Sequence, residues 1–216
     1  MTARRWLRVL AAGVAVGAML VGGLTVASNM GFKFVPNVGA GTAFDLSLPW
    51  NNNYTKANEL YNDIKSQDPD IDRVSKFNSN ASLTNWSQGS SPSANFAVNK
   101  GEAYIVFAKN TGPIDQAVIV GSHDPNFTLD FLAANGGWNN AAAPYHQTFT
   151  KANELFNDLT SQYGSAIDRV SKYNSNASLT NWQSGAPPSA NFTLDLGMGV
   201  LIHATSDATG YVWPHY

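Results

Sequence analysis

The chain has 216 residues and no cysteine, so it holds no disulfide framework, no lipoprotein anchor and no thiolate metal site. Charged residues make up 13% of it and the formal net charge is -2, which gives no basis for binding nucleic acid or an anionic membrane. Its polar surface is therefore mostly uncharged, built from Asn, Ser and Thr, a composition that either lets like subunits pack densely or simply populates turns.

Arg4, Arg5 and Arg8 precede an apolar run from Val9 to Ala27, which reads as the charged region and hydrophobic core of a secretory signal peptide cleaved after Ala27. An uncleaved membrane anchor is the alternative reading. Residues 28–43 form a Gly-punctuated arm. Within it, Gly31, Phe32, Phe34 and Val35 belong to an alternating, strand-like stretch that has no partner of its own in the rest of the pattern.

From there on the chain repeats itself. Thr55–Ile64 returns as Thr150–Leu159, Ile71–Lys76 as Ile167–Lys172, and Asn78–Trp86 as Asn174–Trp182, with a period of about 95 residues. The expected organisation is a signal peptide (1–27), the arm (28–43), and two repeat domains (44–125 and 126–216) with no linker between them. In each copy Ala57, Leu60, Tyr61 and Ile64, or Ala152, Leu155, Phe156 and Leu159, fall on one helical face, and Thr55 and Thr150 are placed to cap that helix. Ile71–Phe77 and Ser82–Trp86 flank a turn at Asn78–Asn80 and predict a hairpin, repeated around Asn174–Asn176. Ala103–Ala108 and Ala117–Val120, with Val200–Ala204 and Gly210–Trp213, predict further strands, and Phe127–Phe131 supplies one more between the copies. The fold class expected is α+β and predominantly β: two tandem copies of a small twisted sheet or partly closed barrel, each with one short helix.

Leu46-Ser-Leu-Pro-Trp50, Tyr54-Thr-Lys-Ala57, Val74-Ser-Lys-Phe77, Trp86 and Gly101-Glu-Ala-Tyr-Ile-Val106 together resemble a repeat found in exported and cell-surface proteins of environmental bacteria and archaea. The resemblance covers most of the chain beyond the leader, twice. It implies a surface location and a scaffold, and brings no catalytic residues with it. The second copy departs from the pattern at Ala143-Pro-Tyr145 and at Gly197–Ile202.

Chemistry is sparse in the sequence. His123, His146, His203 and His215 are scattered, without the spacing of a metal or catalytic motif, and read as satisfied or surface histidines; no metal or cofactor is expected. No nucleophile elbow or phosphate loop is present, and an enzyme is not expected. Asp68, Asp70 and Asp72 alternate as a weak candidate for calcium, against a solvated loop. Trp50, Trp138 and Tyr145 are candidates for stacking on sugar rings, against a role in small cores. Asn53, Asn80, Asn126, Asn176 and Asn191 begin glycosylation sequons. The leading expectation is an extracellular or cell-surface structural subunit whose partner is itself, assembling into a filament, tube or layer through strand addition by the arm. Polysaccharide binding is the alternative function, and pairing of the arm within its own chain is the alternative to its addition to a neighbour.

Overall fold

The computed structural model describes residues 30–35, 38–115 and 117–215. The signal-peptide reading of 1–27 lies outside them, and for residues 30–35 only the backbone is described. No helix among the described residues is long and apolar enough to cross a membrane.

The architecture is β-rich with antiparallel sheets. In chain order the strands are β1 (Met30–Val35), β2 (Ala43–Ser47), β3 (Ile71–Phe77), β4 (Leu83–Trp86), β5 (Ala103–Ala108) and β6 (Ala117–Ser122), then β7 (Leu129–Phe131), β8 (Trp138–Ala142), β9 (Ile167–Tyr173), β10 (Leu179–Gln183), β11 (Gly199–Ala204) and β12 (Ala208–Tyr211). Helix α1 (Ala57–Gln67) follows β2 and helix α2 (Ala152–Tyr163) follows β8. One four-stranded sheet runs β2-β5-β3-β4 and the other β8-β11-β9-β10, while β1 pairs with β6 and β7 with β12 in two-stranded ribbons. The two larger sheets share a register: Val74 faces Trp86 and Val106 in one, and Val170 faces Trp182 and Ile202 in the other.

Each helix forms where its apolar residues line one face. Ala57, Leu60, Tyr61 and Ile64 of α1 are buried, as are Ala152, Leu155, Phe156 and Leu159 of α2. The helix start differs from the expected threonine cap. The helices begin at Ala57 and Ala152, and the Thr55 and Thr150 hydroxyls donate to Glu59 and Glu154. Those carboxylates also accept from the backbone N–H groups of Thr55 and Lys56, or of Thr150 and Lys151, so the third helical residue reaches back to close the turn. Backbone hydrogen bonds from Thr55 and Thr150 are the main reason both carboxyls titrate below their usual range.

The continuous apolar run Ala103–Ala108 is buried on both faces. Tyr104 and Val106 pack with Leu60, Tyr61 and Ile64 beneath α1, while Ile105 and Phe107 join Phe77, Tyr173 and Leu201 in a separate cluster between the two sheets. In the other half Val200 and Ile202 pack beneath α2 and Leu201 faces the opposite sheet. The layers are therefore helix, sheet, sheet, helix. The partly closed barrel does not form, because each open sheet is covered on one face by its helix and on the other by its counterpart.

The contact between the sheets is nearly symmetric. Ser47 N–H donates to the Gly197 carbonyl and Ala142 N–H to the Gly101 carbonyl, both at 2.8 Å. The Tyr173 N–H donates to Asp45 Oδ2 (2.8 Å), and at the corresponding place Asn140 Nδ2 donates to the Phe77 carbonyl (2.6 Å). At the close approach of β5 and β11, a Cβ on Gly199 would lie 2.2 Å from that of Ala103, so only glycine fits there.

The arm is not without a partner. Its strand β1 runs antiparallel to β6, from Met30 opposite Ser122 to Val35 opposite Ala117, and thus stands to β6 as β7 stands to β12.

Candidate functional site

The three histidines His123, His146 and His215 converge. His123 follows β6, His146 lies between β8 and α2, and His215 is held in the C-terminal tail by a bridge between its backbone and that of Gln147. Neighbouring β-bridge contacts between Asn51 and Ser122 tie the end of β6 to the segment after β2, which carries Trp50. One ring nitrogen from each imidazole lies within 4.8 Å of the others. Ring centroids are 4.3 Å apart for His123 and His146, 4.4 Å for His123 and His215, and 4.9 Å for His146 and His215, all edge-on. Trp50 covers His123 at 4.8 Å and Tyr145 leans on His146 at 4.4 Å.

The environment fixes the chemistry of two of these rings. His215 Nδ1 is 2.7 Å from the Trp213 carbonyl, which can only accept, so Nδ1 carries a proton and, of the two neutral tautomers, the one with its lone pair on Nε2 is selected. His123 Nε2 is buried without a hydrogen-bond partner among the described residues. Burial, then the neighbouring His146 and His215, push the His123 imidazolium down to about 4, so this ring is neutral at physiological pH. The reading of these histidines as separate residues does not describe the folded chain. Their spacing carried no motif because three different connections deliver them.

His203 stands apart. Its Nδ1 is 2.6 Å from Asp168 Oδ1, Asp168 also binds Arg169, and Trp138 sits edge-on at 4.8 Å. Burial alone would raise the Asp168 carboxyl, but the hydrogen bonds from Arg169 and His203 hold it below the usual carboxylate range. Register places Phe107 at the matching position in the first half, where the Arg73 guanidinium lies 3.7 Å from its ring centre.

The other candidates are dispersed. Trp50 is 3% exposed, packs into the core beneath α2 and donates its indole N–H to the Ala142 carbonyl, so it offers no face to a sugar. Trp138 packs edge-on against Phe77 and borders a hollow of 320 Å³ that also includes Glu102, Asn139 and Asn140. Tyr145 is half-buried beside the histidines. The Asp68 carboxylate accepts from the Asp70 and Asp115 N–H groups and Asp72 pairs with Arg73, which directs these oxygens to different partners rather than to one cation. Asn53, Asn80, Asn126 and Asn176 are exposed. Asn191 is half-buried and exchanges hydrogen bonds with Asn153, as Asn95 does with Asn58. Gly31, Phe32, Phe34 and Val35 all lie in β1.

No family model, curated protein or solved structure matches this chain.

Proposed function

We propose that this chain is an exported structural subunit that joins copies of itself by exchanging β1. The repeated sequence and the repeated strand order together support reading it as two copies of one unit, β1–β6 and β7–β12, packed as a single scaffold. The observation that carries the assembly reading is the pairing of β1. This first strand takes its ladder from β6, over six consecutive register partners. A β1 contributed by a neighbouring copy would make the same main-chain hydrogen bonds, so exchange costs little enthalpy, and a head-to-tail exchange leaves an open chain of subunits. Val120 on β6 is 63% exposed, so one side of this ribbon remains open to a neighbour.

Deleting residues 28–37 and measuring size by light scattering, with negative-stain microscopy, tests the reading. The intact protein should form ordered polymers and the deleted form should stay folded as a monomer, with polymerisation of the intact protein blocked by excess peptide spanning 28–37. A monomeric intact protein at all concentrations removes it. Polysaccharide binding is the second reading and rests on the hollow beside Trp138; failure of the protein to be retained on insoluble polysaccharide removes that one.

A further inference from the structure

We propose that His123, His146 and His215 form a binding site for one late first-row divalent cation, with zinc the ion their chemistry suits best. The inference is independent of the assembly reading, since none of the three lies on β1.

Convergence is the first support. Three connections that share no sequence motif bring three imidazoles to one point, with a nitrogen of each within 4.8 Å of the others. Tetrahedral zinc binds imidazole at about 2.0–2.1 Å, which sets nitrogens about 3.4 Å apart, so the rings must close by about 1.4 Å at most. His123, His146 and His215 all lie outside the strands, so the proposed closure needs side-chain rotation and no shift of a sheet.

Ring orientation is the second. A histidine ligand characteristically donates its other N–H to a carbonyl or carboxylate, which fixes the tautomer and directs the lone pair. His215 does this through Nδ1 and the Trp213 carbonyl at 2.7 Å. His123 presents a buried Nε2 that no group among the described residues satisfies, a state that a metal would relieve. Trp50, held by its own bond to the Ala142 carbonyl, packs against the His123 ring at 4.8 Å.

The ligand set then selects the ion. Three imidazoles, with no carboxylate or thiolate beside them in the cluster among the described residues, suit zinc, copper(II), nickel or cobalt and reject calcium and magnesium, which take oxygen. Three protein ligands leave a fourth position for water.

The test uses tag-free protein stripped with chelator and titrated calorimetrically with zinc at neutral pH. One equivalent should bind, and calcium should not compete. His123→Gln, His146→Gln and His215→Gln should each weaken zinc binding at least about tenfold, while His203→Gln, whose ring is already held by Asp168, should leave it unchanged. Cobalt(II) added to the unmutated protein should give the intense visible bands of a tetrahedral nitrogen site, and this readout stands even where a variant fails to fold. Absence of saturable zinc binding, absence of those bands, or equal binding by the triple His→Gln variant overturns the proposal.

Discussion

Asp45 offers a sharp test of how the two sheets are held together. Its carboxyl is buried between them, with Oδ2 accepting from the Tyr173 N–H and Oδ1 without a partner among the described residues. Burial pushes its pKa up to about 7, against the partial relief given by that N–H and by Lys172. The folded protein therefore keeps a proton that the unfolded chain has already lost above its ordinary value of 3.8. Stability from this group is present at acid pH and is withdrawn as pH rises towards 7. Each pH unit in that window is worth about 1.4 kcal/mol, so the withdrawal between about pH 4.5 and pH 7.5 comes to about 3 kcal/mol. The second half already carries the remedy: register places Asn140 at the matching position, donating to the Phe77 carbonyl. Asp45→Asn should match the wild type near pH 4.5 and exceed it by about 3 kcal/mol near pH 7.5, measured by urea unfolding at both values. The difference between the two proteins is the required readout, because His123 acts in the opposite direction. Its folded pKa lies below the ordinary value, so its contribution is lost as pH falls from 6.5 towards about 4. A pH dependence that differs by less than about 1.4 kcal/mol between the two proteins refutes the reasoning.

Gly199→Val should destabilise strongly, by about 3 kcal/mol or more, because its Cβ meets Ala103 at 2.2 Å where both strands are fixed by their sheets; thermal unfolding reads this. Phe77→Ala should cost about 3–5 kcal/mol by emptying the cluster between the sheets. Leu196→Ser, at a side chain 68% exposed, should stay within about 0.5 kcal/mol in the same melts. Asn95→Ala and Asn191→Ala should destabilise by similar amounts, about 1–2 kcal/mol each, since both remove the same two hydrogen bonds to a helix start; unequal losses would mean that the two halves do not share one local energetics.

The local elements were legible because their determinants are local. The helix faces of α1 and α2 follow from spacing alone, and the Asn78 and Asn174 turns from residues that favour them, with Asn80 and Asn176 accepting from Ser82 and Ser178 two places on. The apolar run at Ala103–Ala108 announced burial on both sides without saying what covers the second side. Pairing of the sheets depends on Ile105, Phe107, Phe77, Tyr173 and Leu201 meeting across more than half the chain, which no short pattern records. The like placement of β1 and β7 was hidden for a related reason: what they share is an antiparallel pairing, with β6 and with β12, while their residues differ. Much of the Asn content proved to serve hydrogen bonds within the chain, as in Asn85 and Asn181 accepting from Ser75 and Ser171, so it is weaker support for subunit packing than composition suggested. The histidine cluster left no trace in spacing. Its one sequence-level signal was that His123, His146 and His215 each follow the end of a strand or precede a helix, where a fold gathers its loops.

The bonds of Ser47 to Gly197 and Ala142 to Gly101 tie the two sheets to each other within one polypeptide. Tethering turns that association into a first-order event whose effective concentration is set by the connecting chain. The central interface therefore does not fall apart on dilution. The interface between the two four-stranded sheets is complete in every single copy, however scarce the copies are.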